Sequence, residues 1–168
     1  MSLTMYDASV PVFRQILGSL SAILDKAEAY ATARKIEPAA LLQARLYPDM
    51  FALTRQVQIA ADFAKGPCAR LAGAEVPRYE DNEQGFAELK QRIAKTLAFI
   101  DNLPVDAIAG SEQRDISFTV AGNTREFKGQ AYLLHYALPH FYFHVTTAYA
   151  ILRHNGIEVG KRDFIGSF

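Results

Sequence analysis

Val10, Phe13, Leu17, Leu20 and Leu24 return at intervals of three and four residues, with Ile16 and Ile23 widening the stripe. That spacing lays one apolar face along a long helix. A face of this length has to be covered, so the chain must supply further helices of the same kind. Phe86, Leu89, Ile93, Leu97 and Ile100 make a second stripe of the same period, with Glu88, Arg92 and Lys95 expected on the water side. Two more long segments, one beginning at Pro48 and one running over residues 129–155, have the same helical character.

The punctuation between these segments sets their bounds. Thr4 reads as an N-cap with Asp7 in the first turn, opening a first helix over residues 5–32. Glu37-Pro38 opens a short helix over 38–45. Pro48 then starts a longer one over 48–65, which Gly66-Pro67 ends, leaving one further turn at 68–73. Asp81 and Gln84 form an approximate capping box for the next helix, and Asn102-Leu103-Pro104 stops it. Between residues 111 and 128 the period changes to two: Ile116, Phe118 and Val120 alternate with Asp115, Ser117 and Thr119, and Ala121-Gly122-Asn123-Thr124 supplies a turn. A hairpin of this size cannot stand alone. The expected fold is all-α, a four-helix bundle with a short β-hairpin inserted before the last long helix. The tail after Asn155-Gly156 carries Ile157, Val159, Phe164 and Ile165 and should pack on the bundle.

One such bundle, a single domain over residues 1–168, is what this length accommodates. Acids and bases balance at 18 each, so the chain lacks the basic field on which nucleic-acid binding depends. The lone Cys68 excludes an internal disulfide framework and reads as a small buried filler. Every apolar run is broken by charge before it could cross a membrane, and the N-terminus lacks the basic region of a signal peptide. The expected location is cytoplasmic.

Chemistry concentrates at one place. In Leu138-Pro139-His140-Phe141-Tyr142-Phe143-His144, the two histidines stand four residues apart, on one face of the last helix. Paired imidazoles of this spacing can supply two ligands to a divalent metal from a single element. Both fall within or beside the buried arc of their helix, together with Leu133, Thr147 and Ile151; Leu134, Leu138, Phe141, Val145 and Leu152 form a second apolar stripe. His135 points away, and His154 reads as a partner of the C-terminal helix dipole. The second long helix carries a matching polar face, with Asp49 and Gln56 two turns apart among apolar neighbours. Asp49 or Gln56 opposite His140 and His144 would make a mixed nitrogen and oxygen site with room for water. Equally, Asp49 could serve the helix dipole or pair with Arg45, and Gln56 could bridge helices by hydrogen bonds alone. Tyr132, Tyr136, Tyr142 and Tyr149 read as packing aromatics with polar tips, and Lys161-Arg162-Asp163 as solvated charge.

The stretches Arg45-Leu46-Tyr47-Pro48-Asp49-Met50, Gln56-Val57, Asp81 to Leu89, Leu138 to His144, Tyr149 to Gly156 and Gly160 to Phe164 together resemble an uncharacterised bacterial family within the DinB/YfiT-like metalloenzyme superfamily. The resemblance implies a four-helix bundle, commonly a homodimer. It also implies a divalent metal held by a histidine of the second helix and the HxxxH pair of the last, with thiol-dependent transferase or isomerase chemistry in some members; for this chain the candidate metals are Zn²⁺, Ni²⁺ or Fe²⁺ and the candidate chemistry thiol transfer or hydrolysis. Here only His140 and His144 match that pattern; Asp49 would have to complete the metal's ligands, and related sequences carry asparagine at the position of His140. Two expectations follow: a polar inter-helix pocket near His144 and Asp49 that binds a small molecule or ties the bundle together, or a metal-dependent enzyme using His140 and His144. The catalytic residues, substrate and reaction do not follow from the sequence.

Overall fold

The computed structural model describes residues 3–167. Four long helices, α1 (Val10–Ala33), α3 (Leu53–Ala72), α4 (Phe86–Asp101) and α7 (Leu138–His154), form the bundle; α2 (Pro38–Leu42) and α5 (Val105–Ala109) are short connectors. Strands β1 (Asp115–Val120) and β2 (Asn123–Lys128) pair antiparallel just before α6 (Gly129–Tyr132), a π-helical turn (Leu133–Ala137) and α7, which run on as one element. The last short helix, α8 (Lys161–Ile165), packs on α1. The fold is therefore the expected all-α bundle with a hairpin ahead of its last helix. Phe13, Leu17, Leu20 and Leu24 of α1, Leu53 and Val57 of α3, Leu89 and Ile93 of α4 and Phe141 and Ile151 of α7 meet in one buried core. No helix among the described residues is long and apolar enough to cross a membrane.

Several element bounds differ from the sequence expectation, each for a local reason. α1 begins at Val10 rather than residue 5, because Pro11 cannot donate to a preceding turn and takes a position in the helix's first turn. Thr4 and Asp7 do bond each other, with the Asp7 backbone N–H donating to Thr4 Oγ1 at 3.1 Å and the Thr4 N–H to Asp7 Oδ2 at 3.1 Å, but they close a separate turn. Pro48 does not open the second long helix. It is the second residue of a β-turn closed by the Met50 N–H donating to the Tyr47 carbonyl at 3.0 Å, a position that favours the same φ as a first helical turn. Asp49 is thus on an exposed turn, and Arg45 binds the Met50 carbonyl at 2.7 Å rather than the Asp49 carboxylate.

At its other end α3 passes through Gly66-Pro67 and stops only at Gly73. Gly73 has φ +69°, and the Ala74 N–H reaches back to the Ala69 carbonyl at 2.8 Å, which is how a left-handed glycine closes a helix. Residues 81–84 belong to no helix or strand and do not cap α4; the Gln84 N–H is held by the Glu88 carboxylate, and Gly85 precedes the first turn. The hairpin turn is Ala121-Gly122, both at positive φ (48° and 79°), with Val120 opposite Asn123. Asp163 is not simply solvated: it pairs with Lys26 at 2.6 Å and accepts the Gly160 N–H at 2.7 Å, fastening α8.

Candidate functional site

The polar groups singled out in the sequence meet where α3 and α7 pack together. The π-helical turn ends two residues before Pro139, whose ring would clash with the carbonyl four residues back in a regular helix. This wider turn inserts about one extra residue and rotates everything upstream by about 100°. Leu134, expected in the apolar stripe, is consequently exposed, while Tyr132 is buried. The turn also delivers His140 and His144 at the start of a regular helix, the first half-buried and the second 8% exposed.

A relay of hydrogen bonds fixes His144. Gln56 on α3 donates from Nε2 to the Phe51 carbonyl at 3.1 Å, so its Oε1 faces the other way. His144 Nδ1 donates to that oxygen at 2.7 Å. Neither acceptor can donate, so the direction of each bond is determined: Nδ1 carries the proton and Nε2 keeps its lone pair. His140 is set in the same sense, because Nδ1 lies 2.7 Å from the Tyr136 carbonyl, which can only accept. Its ring stacks on Phe63 of α3 at 4.6 Å between centroids with 12° between planes, and Tyr136 lies 4.3 Å away. Phe63 is also nearly parallel to His144 at 6.1 Å, and Phe143 meets His144 edge-on at 5.2 Å. Burial, reinforced by the repulsion of His140 and Arg55, pushes the His144 imidazolium pKa down to about 4. The ring is neutral at pH 7, and no hydrogen bond among the described residues reaches its Nε2.

The structure thus brings Gln56, His140 and His144 to one place and leaves Asp49 outside it. No group of three or more His, Cys, Asp or Glu among the described residues is placed to hold a metal ion. Two imidazole nitrogens fall short of the three protein ligands of a typical catalytic zinc site. Cys68 is fully buried, and burial raises its thiol pKa far above neutrality, as suits a filler rather than a nucleophile.

Two groups escaped the sequence reading. Arg92, expected in water, is 4% exposed and is held by Asp62, Asp81 and Glu83. The signal was present: Leu89, Ile93, Thr96 and Ile100 define the buried arc of α4, and Arg92 falls on its edge. Phe63 and Tyr136, which both contact His140 and lie 5.8 Å from each other, also line a cleft of about 680 Å³ between α3, the segment after it and the hairpin. Helical periodicity cannot reveal a cleft whose far wall comes from a hairpin.

Comparison with known proteins agrees with this fold. No curated protein matches the chain. A crystal structure of a DinB family member protein from Shewanella denitrificans is 43% identical and superposes with a TM-score of 0.90, covering 97% of this chain and 92% of that one. A family model described as a domain of unknown function, DUF1993, matches residues 5–165. The chain belongs to this DinB/YfiT-like family, DUF1993, and its fold is the DinB-like helical bundle with a hairpin before the last helix.

Proposed function

We propose that the protein is a small-molecule-binding bundle of the cytoplasm, acting as one domain, whose polar pocket is centred on His144 with Gln56 and His140 beside it. The relay from the Phe51 carbonyl through Gln56 to His144 Nδ1 carries this reading. Among the described residues the relay satisfies one ring nitrogen of His144 and leaves the other without a protein partner. It secures the tautomer and leaves Nε2 as a neutral acceptor beside the face of Phe63 and the edge of Phe143. The matching ligand is a hydroxyl or N–H donor on an apolar body, for which phenol is the simplest probe. The lone buried Cys68 suits a reducing compartment.

A second reading is favoured by one specific feature. Histidines that ligate a metal usually donate their other ring N–H to a fixed acceptor, and both His140 and His144 do so. Zn²⁺, Ni²⁺ or Fe²⁺ bound at the two Nε2 atoms would need water or substrate for its remaining positions. Long-range proton–nitrogen NMR at pH 7 separates the two. His144 Nε2 is expected to be unprotonated and to shift saturably with phenol, in protein that metal analysis finds free of Zn, Ni and Fe. About one equivalent of metal, lost in His144→Ala, would instead establish the second reading. An Nε2 resonance indifferent to both probes overturns the pocket.

We also propose that the protein acts as a homodimer. Phe51 and Phe143, at 53% and 56% exposed, leave apolar surface next to the pocket that a second copy would cover. Light scattering should return twice the chain mass, and a monomer at micromolar concentration removes the idea.

A further inference from the structure

The cleft beside the histidines holds a cation without an anion. Arg70 of α3 is half-buried, its guanidinium lies 4.7 Å over the Phe118 ring of β1, and its Nη1 donates to the Tyr132 hydroxyl at 3.1 Å. No carboxylate among the described residues pairs with it, although ten ion pairs are formed by other cations. The other charges lining the cleft are accounted for differently: Lys65 is bound to Asp62 at 2.9 Å, and Glu75 and Arg78 are exposed on its rim. Tyr132 is 1% exposed. Its oxygen already accepts from Arg70, so its O–H remains to be given to something else. Two sets of donors therefore converge on one end of a cavity whose walls include Phe63, Phe118, Tyr79 and Tyr136.

Gly66 adds an independent mark. It sits inside α3, where glycine costs about 1 kcal/mol relative to alanine. A Cβ at this position would come within 2.7 Å of Arg70 Nη1. The absent side chain leaves room for the guanidinium to lie back along the helix, and a Cβ would require it to shift.

We propose that this cavity binds a small aromatic carboxylate, with the carboxylate on Arg70 and the Tyr132 hydroxyl and the ring between the aromatic walls. Its volume of about 680 Å³ suits a molecule of that size. The planar guanidinium suits a carboxylate, taking two oxygens at once. The inference does not rest on the histidine pocket: the two share the walls Phe63 and Tyr136 but no hydrogen-bonding group.

Calorimetric titration of the whole chain with naphthoate and with its neutral isostere naphthamide tests this. Naphthoate should bind wild type about tenfold or more tightly than naphthamide, the margin of a charge-assisted contact. Arg70→Gln should reduce that preference to about twofold or less, and Gly66→Ala, which keeps every charge but displaces the guanidinium, should reduce it as well. Equal affinity of wild type for the two probes, or no naphthoate binding at about millimolar concentration, overturns the proposal without reference to either variant. So does a preference that survives Arg70→Gln.

Discussion

Arg92→Met is expected to lower unfolding stability by about 3 to 5 kcal/mol at pH 7, read from the urea midpoint. Methionine preserves most of the apolar stem, so the loss reports the guanidinium. That group makes four contacts from a site whose side chain is 2% exposed: Nη1 to Glu83 Oε1 at 3.0 Å and to the Glu80 carbonyl at 3.0 Å, and Nη2 to Asp62 at 3.1 Å and Asp81 at 2.9 Å. Asp62 and Asp81 are each 39% exposed and can turn to water. Glu83, 10% exposed, cannot. Burial alone would raise its pKa; hydrogen bonds from Arg92 and Gln58 outweigh that and hold it below the usual 4.5. Without Arg92, the carboxylate keeps only Gln58 at 2.8 Å and must protonate or draw in water. Residues 76–85 are tied to α3 and α4 partly through this cluster, beside the Arg55–Asp81 pair and the contacts of Lys65 and Lys95 with Tyr79, so trypsin should cut after Arg78 faster in the variant. A change smaller than about 1 kcal/mol would mean that Arg92 behaves as a surface ion pair.

The stabilisation has a definite acid limit. Because the folded pKa of Glu83 lies below its unfolded value, its contribution is complete above pH 4.5 and disappears as pH falls through the depressed folded value.

Arg92 and the bundle it stabilises were unequally legible. The four long helices followed from stripes such as Phe13-Leu17-Leu20-Leu24, because burial of one face leaves a period in the sequence. The hairpin followed from the switch to a period of two, while wheel geometry placed Gln56 and His144 on inward faces without specifying the bond between them. Pro48 misled because a proline at the second position of a β-turn and one in a first helical turn need the same φ. Gly66-Pro67 misled because a glycine that makes room for Arg70 looks in sequence like one that ends a helix. The π-helical turn was invisible for a different reason: a single inserted residue changes the phase of a stripe and not its period. Asp49 followed Pro48 onto the wrong element, which is why the candidate site lost its carboxylate while keeping its histidine and amide.

The titration of His144 should be measurable as a loss of stability in mild acid. Its pKa is 6.5 in the unfolded chain and about 4 in the fold, lowered first by burial and then by His140 and Arg55. Above pH 6.5 both states are neutral at this residue and it contributes no pH dependence. Below 6.5 the unfolded chain takes up a proton that the folded one refuses, so stability falls as pH falls, by up to about 1.4 kcal/mol per pH unit and about 3 kcal/mol in all by pH 4. The interval between pH 6.5 and 4.5 isolates the effect, since the contribution of Glu83 starts to be lost only below it. His144→Asn, which retains an N–H for Gln56 but cannot titrate, should flatten the slope, with the other histidines common to both proteins. Equal slopes in wild type and variant would show that the ring is protonated in the fold. The refusal of that proton is also what leaves Nε2 with its lone pair, so acid sensitivity and the capacity to accept a ligand's hydrogen bond come from the same burial. A substitution that hydrates the ring, such as Phe143→Ser, should weaken both together.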